Sequence, residues 1–209
     1  MHRTPDSGLI GSSSALKAIY CQAIVAPPKS ILEFGTGIGT ISAFLQKVTS
    51  ARILTIEKDS RFLEIAKKNV ENFHSGGLTG ENTIVFESKL SFNKDSSFDW
   101  IIIDESVEKS EWKVISKLDG VELFIIENQR FISRFRVLGI LLRKKMRFQY
   151  SEIDTAYETG IAVFRVNHRG GGNLVLFFLD YLSTFILLLP RFVKGTYRDR
   201  GKNLFINKE

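Results

Sequence analysis

Cysteine is nearly absent from this chain: Cys21 stands alone. An intrachain disulfide is thereby excluded, as is a zinc site built on thiolates, since either needs a second sulfur. Histidine is scarce too, and His2, His74 and His168 are too scattered for two of them to share one helix face as metal ligands. Met1 to Ile10 carry His2, Arg3 and Asp6 before any apolar run, so the basic-then-apolar layout of a secretory signal is missing and a cytoplasmic location is expected. Repeats and low-complexity stretches are lacking beyond Ser12–Ser14, where a helix N-cap is expected.

At 209 residues the chain has room for one α/β domain with a full core and a short appendage. Its net charge of +6 invites a nucleic-acid reading, but the excess is local. Residues 165–209 hold eight basic against three acidic side chains, leaving only +1 on residues 1–164. No nucleic-acid partner is therefore expected.

Apolar runs of strand length alternate with helix-period segments, the pattern of βαβ units and a mostly parallel sheet. Strands are expected near 30–34, 52–57, 83–87, 99–103, 122–127, 147–153 and 160–167. Helices are expected near 14–25, 38–49, 60–73, 108–117 and 131–146. The result is a Rossmann-like α/β fold with seven strands and helices on both faces, covering 1–168. Residues 169–173 form a glycine-rich break before an appendage, 169–209.

The run Ser30-Ile-Leu-Glu-Phe-Gly-Thr-Gly-Ile-Gly-Thr-Ile-Ser42 reads as a buried strand, three glycines and a helix start. Glycines there permit positive φ and close approach of a ligand, and the helix N-terminus offers free N–H groups. A dinucleotide fingerprint would need glycines at 35, 37 and 40, whereas the chain has Gly35, Gly37, Gly39 and Thr40. Glu33, two residues before the first glycine, would repel a pyrophosphate and attract a cation. S-adenosylmethionine (SAM) carries both an ammonium and a sulfonium. The second strand ends at Glu57, 22 residues after Gly35, where a carboxylate can accept both ribose hydroxyls. Asp59 and Ser60 read instead as the N-cap of the next helix.

Glu33-Phe-Gly35-Thr36-Gly37-Ile-Gly39 resembles the first motif of the class I SAM-dependent methyltransferases. The resemblance implies that Glu33, Gly35, Thr36, Gly37 and Gly39 hold the methionine part of the cofactor, Glu57 the ribose, and Glu87 and Ser88 the adenine. Two further strands end in acids, at Asp104-Glu105 and at Glu127-Asn128. These endings resemble the small cation-dependent O-methyltransferases of the catechol and caffeoyl-CoA type over about residues 4–165. That likeness implies Asp104, Glu127 and Asn128 as oxygen ligands of Mg²⁺ or Mn²⁺, with Asp104 also on the cofactor side. The family follows its first metal Asp with Ala-Asp-Lys, where this chain has Glu105-Ser106-Val107. Lys109 is then the nearest lysine, and Asp104 and Lys109 are the expected catalytic pair. No Asn-Pro-Pro-Tyr follows the fourth strand, so the signature of nucleobase amino methylation is missing.

The expected activity is methyl transfer from SAM to a small-molecule or lipid- or glycan-linked acceptor, on oxygen. An NAD-linked dehydrogenase, an aminopropyl transferase on the same fold and a non-catalytic scaffold are the alternatives. The apolar run Leu174–Leu189, stopped by Pro190, would make a helix about 24 Å long, short of the ~30 Å hydrocarbon core. Asn173, Asp180, Ser183, Thr184 and Arg191 fall on one stripe, so an amphipathic helix is expected. Its contact through 174–193 would be an anionic membrane surface, the domain's own sheet or a second subunit in a homodimer.

Overall fold

The computed structural model describes residues 13–74, 83–90, 97–127, 131–153, 161–168, 179 and 181–186. In chain order the elements are α1 (Ser13–Val25), β1 (Ser30–Phe34), α2 (Thr40–Val48), β2 (Arg52–Ile56), α3 (Ser60–His74), β3 (Ile84–Glu87), β4 (Trp100–Ile103), α4 (Lys109–Ile115), β5 (Leu123–Ile126), α5 (Phe131–Arg143), β6 (Arg147–Ile153) and β7 (Ile161–Asn167). The strands form one sheet in the order β3-β2-β1-β4-β5-β7-β6. β1 to β5 run parallel; β7 is antiparallel to both β5 and β6. This is the expected seven-stranded, Rossmann-like sheet, with its parallel centre buried on both faces as crossover helices require.

Why these segments are strands is plain from their composition. β1, β4 and β5 are apolar at nearly every position and wholly buried, so both pleat faces need cover. Leu32, Phe34, Ile101, Ile103, Phe124 and Ile126 pack with Trp112 of α4 and Val137, Leu138 and Leu141 of α5. Ile31, Ile53, Trp100, Ile102 and Ile125 point to the other side, against Ala15, Ala18 and Ile19 of α1 and Ile41 and Leu45 of α2. Crossovers from β1 to β2 and from β4 to β5 thus place α2 and α4 on opposite layers, and reversal of strand order occurs between β1 and β4. Ligands in such sheets bind at that reversal, beyond the carboxyl ends.

One helix end departs from expectation. Periodicity predicts α5 to Met146, but the helix stops at Arg143. Lys145 takes φ 53°, while its N–H bonds Leu142 O (3.0 Å) and the N–H of Met146 bonds Leu141 O (3.0 Å). This is a Schellman closure made without glycine, which is why no glycine marked it.

The C-terminal appendage is described only at 179 and 181–186, which are helical. Tyr181 and Phe185 pack on the α4–α5 side of the core, and Phe185 meets Phe135 edge-on at 5.9 Å. Ser183 and Thr184 lie beside Gln149, Tyr150 and Ser151 of the edge strand β6. The expected polar stripe is therefore divided: Ser183 is solvated but Thr184 is 4% exposed, whereas Leu179, Leu182 and Ile186 are more than half exposed. Packing of the two aromatics against α5 decides the orientation, which helical periodicity could not. Asn173, Arg191 and the rest of 174–193 lie outside the described residues, as do Ser12 and Asn128. No helix among the described residues is long and apolar enough to cross a membrane.

Since a left-handed conformation strains a side-chain-bearing residue by about 1–2 kcal/mol and glycine gives back part of that in chain entropy, Lys145→Gly is expected to stabilise the protein by roughly 0.5–1 kcal/mol. Urea unfolding of Lys145→Gly beside Lys145→Ala checks this; equal midpoints for the two variants would contradict it.

Candidate functional site

The carboxyl end of β1 turns through Gly35 (φ 94°), Gly37 (φ 53°) and Gly39 (φ 87°) into α2. The loop stays tied to β2, because the N–H groups of Gly35 and Thr36 both donate to Ile56 O, at 3.0 and 3.2 Å. Close packing by the chain itself explains two of the glycines. A Cβ on Gly35 would sit 2.8 Å from Cβ of Glu105, and one on Gly39 would sit 3.1 Å from Cα of Ala66 in α3. Gly37 is held differently: its N–H donates to Glu57 Oε2 at 2.8 Å.

Glu57, just past β2, is buried and uses its other oxygen to accept the N–H of Asp59 at 2.9 Å. A carboxylate has about four acceptor positions, so two remain for a ligand hydroxyl. Asp59 accepts the N–H of Arg61 at 2.9 Å and pairs with its guanidinium at 2.6 Å, as the N-cap of α3. The Arg61 side-chain and backbone bonds hold the Asp59 carboxyl down at about 2.

Glu33 is wholly buried behind the loop. The hydroxyl of Ser42 donates to its Oε2, Ser42 also reaches Thr55 at 3.4 Å, and Thr55 meets Thr36 at 2.6 Å. Oε1 of Glu33 has no partner. Burial pushes this carboxyl up to about 7; bonds from Ser42 and Thr55 oppose the rise, and the charges of Glu127 and Glu57 add to it. An orphaned oxygen amid three carboxylates makes a field that favours a cation and disfavours a pyrophosphate.

Asp104 and Glu127 follow β4 and β5, whose register pairs Ile103 with Ile126, so the two acids stand side by side. The N–H groups of Asp104 and Glu105 both bond Phe34 O, and that of Glu127 bonds Ile103 O. Asp104 is half-buried and Glu127 buried. Glu87 closes β3, its carbonyl accepting the N–H of Glu57 at 3.0 Å; Ser88 beyond it is exposed. Among the described residues no three His, Cys, Asp or Glu side chains gather as a metal cluster, and Asn128, the third expected ligand, lies outside them.

Lys109 stands on the α4 layer of the sheet. It opens α4 and lines a groove between α4 and α5, on the layer opposite Ser42 and Glu33, because α4 leaves β4 on that side of the sheet. Glu105, by contrast, packs against the loop at Gly35. Sequence reasoning missed Lys58, which reaches Glu111 at 3.2 Å, Glu108 at 3.4 Å and Glu105 at 3.9 Å, and donates to Ser106 O at 3.2 Å. Partial burial works against its charge, yet the fields of Glu105, Glu111 and Glu108 raise its pKa. Because β1 lies between β2 and β4, Lys58 links the ends of the two strands that flank the loop. Only the adjacency of Lys58 to Glu57 signals it in sequence.

Several solved methyltransferases share this architecture. TomG, a Streptomyces achromogenes O-methyltransferase of tomaymycin synthesis solved with SAM, matches with TM-score 0.55 and 15% identity over 76% of this chain and 82% of its own. The SAH-bound Podospora anserina methyltransferase PaMTH1 matches with TM-score 0.54 and 16% identity over 79% and 83%. A precorrin-6y C5,15-methyltransferase from Geobacter metallireducens matches with TM-score 0.57 and 11% identity over 76% and 90%. The chain has the fold of these methyltransferases. No family model matches it.

The elevated Glu33 carboxyl has a consequence for stability. Between the ordinary value of 4.5 and about 7 the unfolded chain releases a proton that the folded chain keeps, so stability falls as pH rises through that window and stays low above it. Glu33→Gln, which keeps an acceptor for Ser42, is expected to be more stable than the parent at pH 8 by a few kcal/mol, at roughly 1.4 kcal/mol per pH unit, and equal to it near pH 4. Unfolding curves at both pH values test this, and a difference independent of pH would refute it.

Proposed function

We propose that this protein is a SAM-dependent methyltransferase acting on an oxygen of a small-molecule or lipid-linked acceptor, in the cytoplasm. One observation carries the reading: Glu33, Glu57 and Glu127 converge behind and beside the glycine loop, with one buried carboxylate oxygen unpartnered. A cationic cofactor relieves that arrangement, whereas the diphosphate of NAD aggravates it. Aminopropyl transfer would use a cation at the same place, and product analysis distinguishes it; a scaffold would show no transfer at all.

When bound, the cofactor supplies an electrophilic methyl on sulfur, which passes in line to the acceptor oxygen. The chain's own part is positioning and proton removal. Gly35, Thr36, Gly37 and Gly39 shape the floor, Glu33 offers its free oxygen to an ammonium, and Glu57 offers its two remaining acceptor positions to ribose hydroxyls. Glu87 and Ser88, at the end of the neighbouring strand, are assigned to the adenine. Asp104 faces the transfer, and the proton leaving the acceptor goes to Glu105 beside the loop or, if the acceptor reaches across the sheet edge, to Lys109. The appendage, with Leu179, Leu182 and Ile186 exposed, is assigned the membrane-surface or subunit contact.

Calorimetry should detect binding of SAM and none of NAD. Glu57→Ala is expected to weaken SAM by roughly 1–3 kcal/mol, the scale of hydrogen bonds to charged groups. Gly37→Val should abolish binding, since valine is strained at φ 53° and projects into the approach. Normal SAM affinity in folded variants would remove the loop from the site.

A second reading adds Mg²⁺ or Mn²⁺ on Asp104, Glu127 and Asn128, favoured by the register that sets the first two side by side. On that reading excess EDTA stops turnover and either ion restores it; undiminished turnover in chelator removes it.

A further inference from the structure

A groove of about 980 Å³ runs between α4 and α5, on the outer side of the helical layer. Its floor is apolar, formed by Trp112, Phe135, Ile140 and Phe185, and the exposed Ile132 stands at its rim. Four cations line it: Lys109, Lys113, Arg136 and Arg143. Among the described residues no carboxylate does. The Arg136 guanidinium lies 5.5 Å from the Trp112 ring and also reaches Val107 O, and the guanidinium of Arg143 lies over Gly139. By contrast, two nearby cations are paired, Lys144 with Asp119 at 2.7 Å and Arg134 with Glu152 at 2.7 Å.

Positive charge without a counter-ion beside an apolar trough calls for an occupant that is anionic at one end and apolar along its length. A nucleic acid or acidic peptide would leave the floor uncovered. The residues after Ile186 are a poor match, because Arg191, Lys194, Arg198, Arg200 and Lys202 would be repelled by the groove's own charge. A concave trough of this volume, within the usual range for small-molecule pockets, suits a single chain better than a flat bilayer face.

We infer that the α4–α5 groove binds a single-chain anionic amphiphile as a monomer. Its chain lies along Trp112, Phe135, Ile140 and Phe185, and its head group meets the Lys113 and Arg143 cations. The site stands on the groove alone and does not depend on the methyl-transfer reading, so each can fail without the other.

The two tryptophans give a direct readout, since Trp112 lines the groove while Trp100 is buried in the core on the opposite face of the sheet. Terminally brominated dodecanoate, added to the full chain below its micelle concentration, is expected to quench tryptophan emission saturably. Trp112→Phe should lose the quenching while keeping Trp100 emission. Charge reversal in Lys113→Glu/Arg143→Glu, both exposed positions, should weaken the effect by about tenfold or more, and either single variant should move it the same way. The brominated alcohol of equal length should fail to quench at the same concentration. Absence of saturable quenching, equal quenching by the alcohol, or indifference to charge reversal overturns the inference. So does quenching seen only with vesicles of brominated phosphatidylglycerol, which would indicate a bilayer surface, or a dimer in sedimentation that shields Trp112, which would put a second copy in the groove.

Discussion

A single carboxylate holds the two segments on which the site depends. Glu57 accepts the N–H of Gly37 with one oxygen and that of Asp59 with the other, so the glycine loop after β1 and the turn into α3 are fixed to each other. Hydrogen bonds to a charged acceptor are stronger than neutral ones, and burial of Glu57 keeps water from competing for it. Without this anchor Gly37 would keep its left-handed φ only by its own preference. The loop would then be held to α3 only by the bond from Asn69 Nδ2 to Ile38 O at 2.8 Å and by the packing of Ala66 against Gly39.

Around that anchor the acids divide their work by burial. Glu33, sealed behind the loop, carries an unpartnered oxygen and a raised pKa, so it is a poor contributor to the empty fold and a suitable counter-charge for a cation. Glu105, Glu108 and Glu111 are bridged by Lys58, which joins the end of β2 to the connection after β4 across the end of β1. A fold that needed only stability would have little reason to bury Glu33. Its burial beside Glu57 and Glu127 is a local inconsistency of the kind that marks candidate functional sites.

The outer layer shows a second imbalance. On the α4–α5 side the cations Lys109, Lys113 and Arg143 line an apolar trough, while nearby Lys144 and Arg134 are paired. The C-terminal helical segment contributes Phe185 to that trough and lies beside the edge strand β6, whose unpaired backbone would otherwise be open to another strand. The appendage is therefore part of this side's architecture at 181–186, whatever contacts the rest of it makes.

Element types and order were determined by sequence alone, because period-2 and period-3.6 apolar patterns are local properties. β1 and β6 occupy the expected residues, and β2, β3, β4, β5 and β7 lie within one residue at each end of theirs. The candidate site was proposed on equally local grounds, since glycines and acids at strand ends need only the neighbouring residues to be recognised. What tertiary structure decided were relations between distant residues. The burial of Glu33 depends on Ser42 and Thr55, the need for Gly35 depends on Glu105, and the place of Lys109 in the α4–α5 groove depends on the layer to which α4 crosses. Likewise α5 ends on a left-handed lysine, and Thr184 turns inward while Leu182 turns out, because backbone closure and aromatic packing outweighed local preference. Local pattern decides which element forms; the free energy of packing one element on another decides which of its side chains become a site.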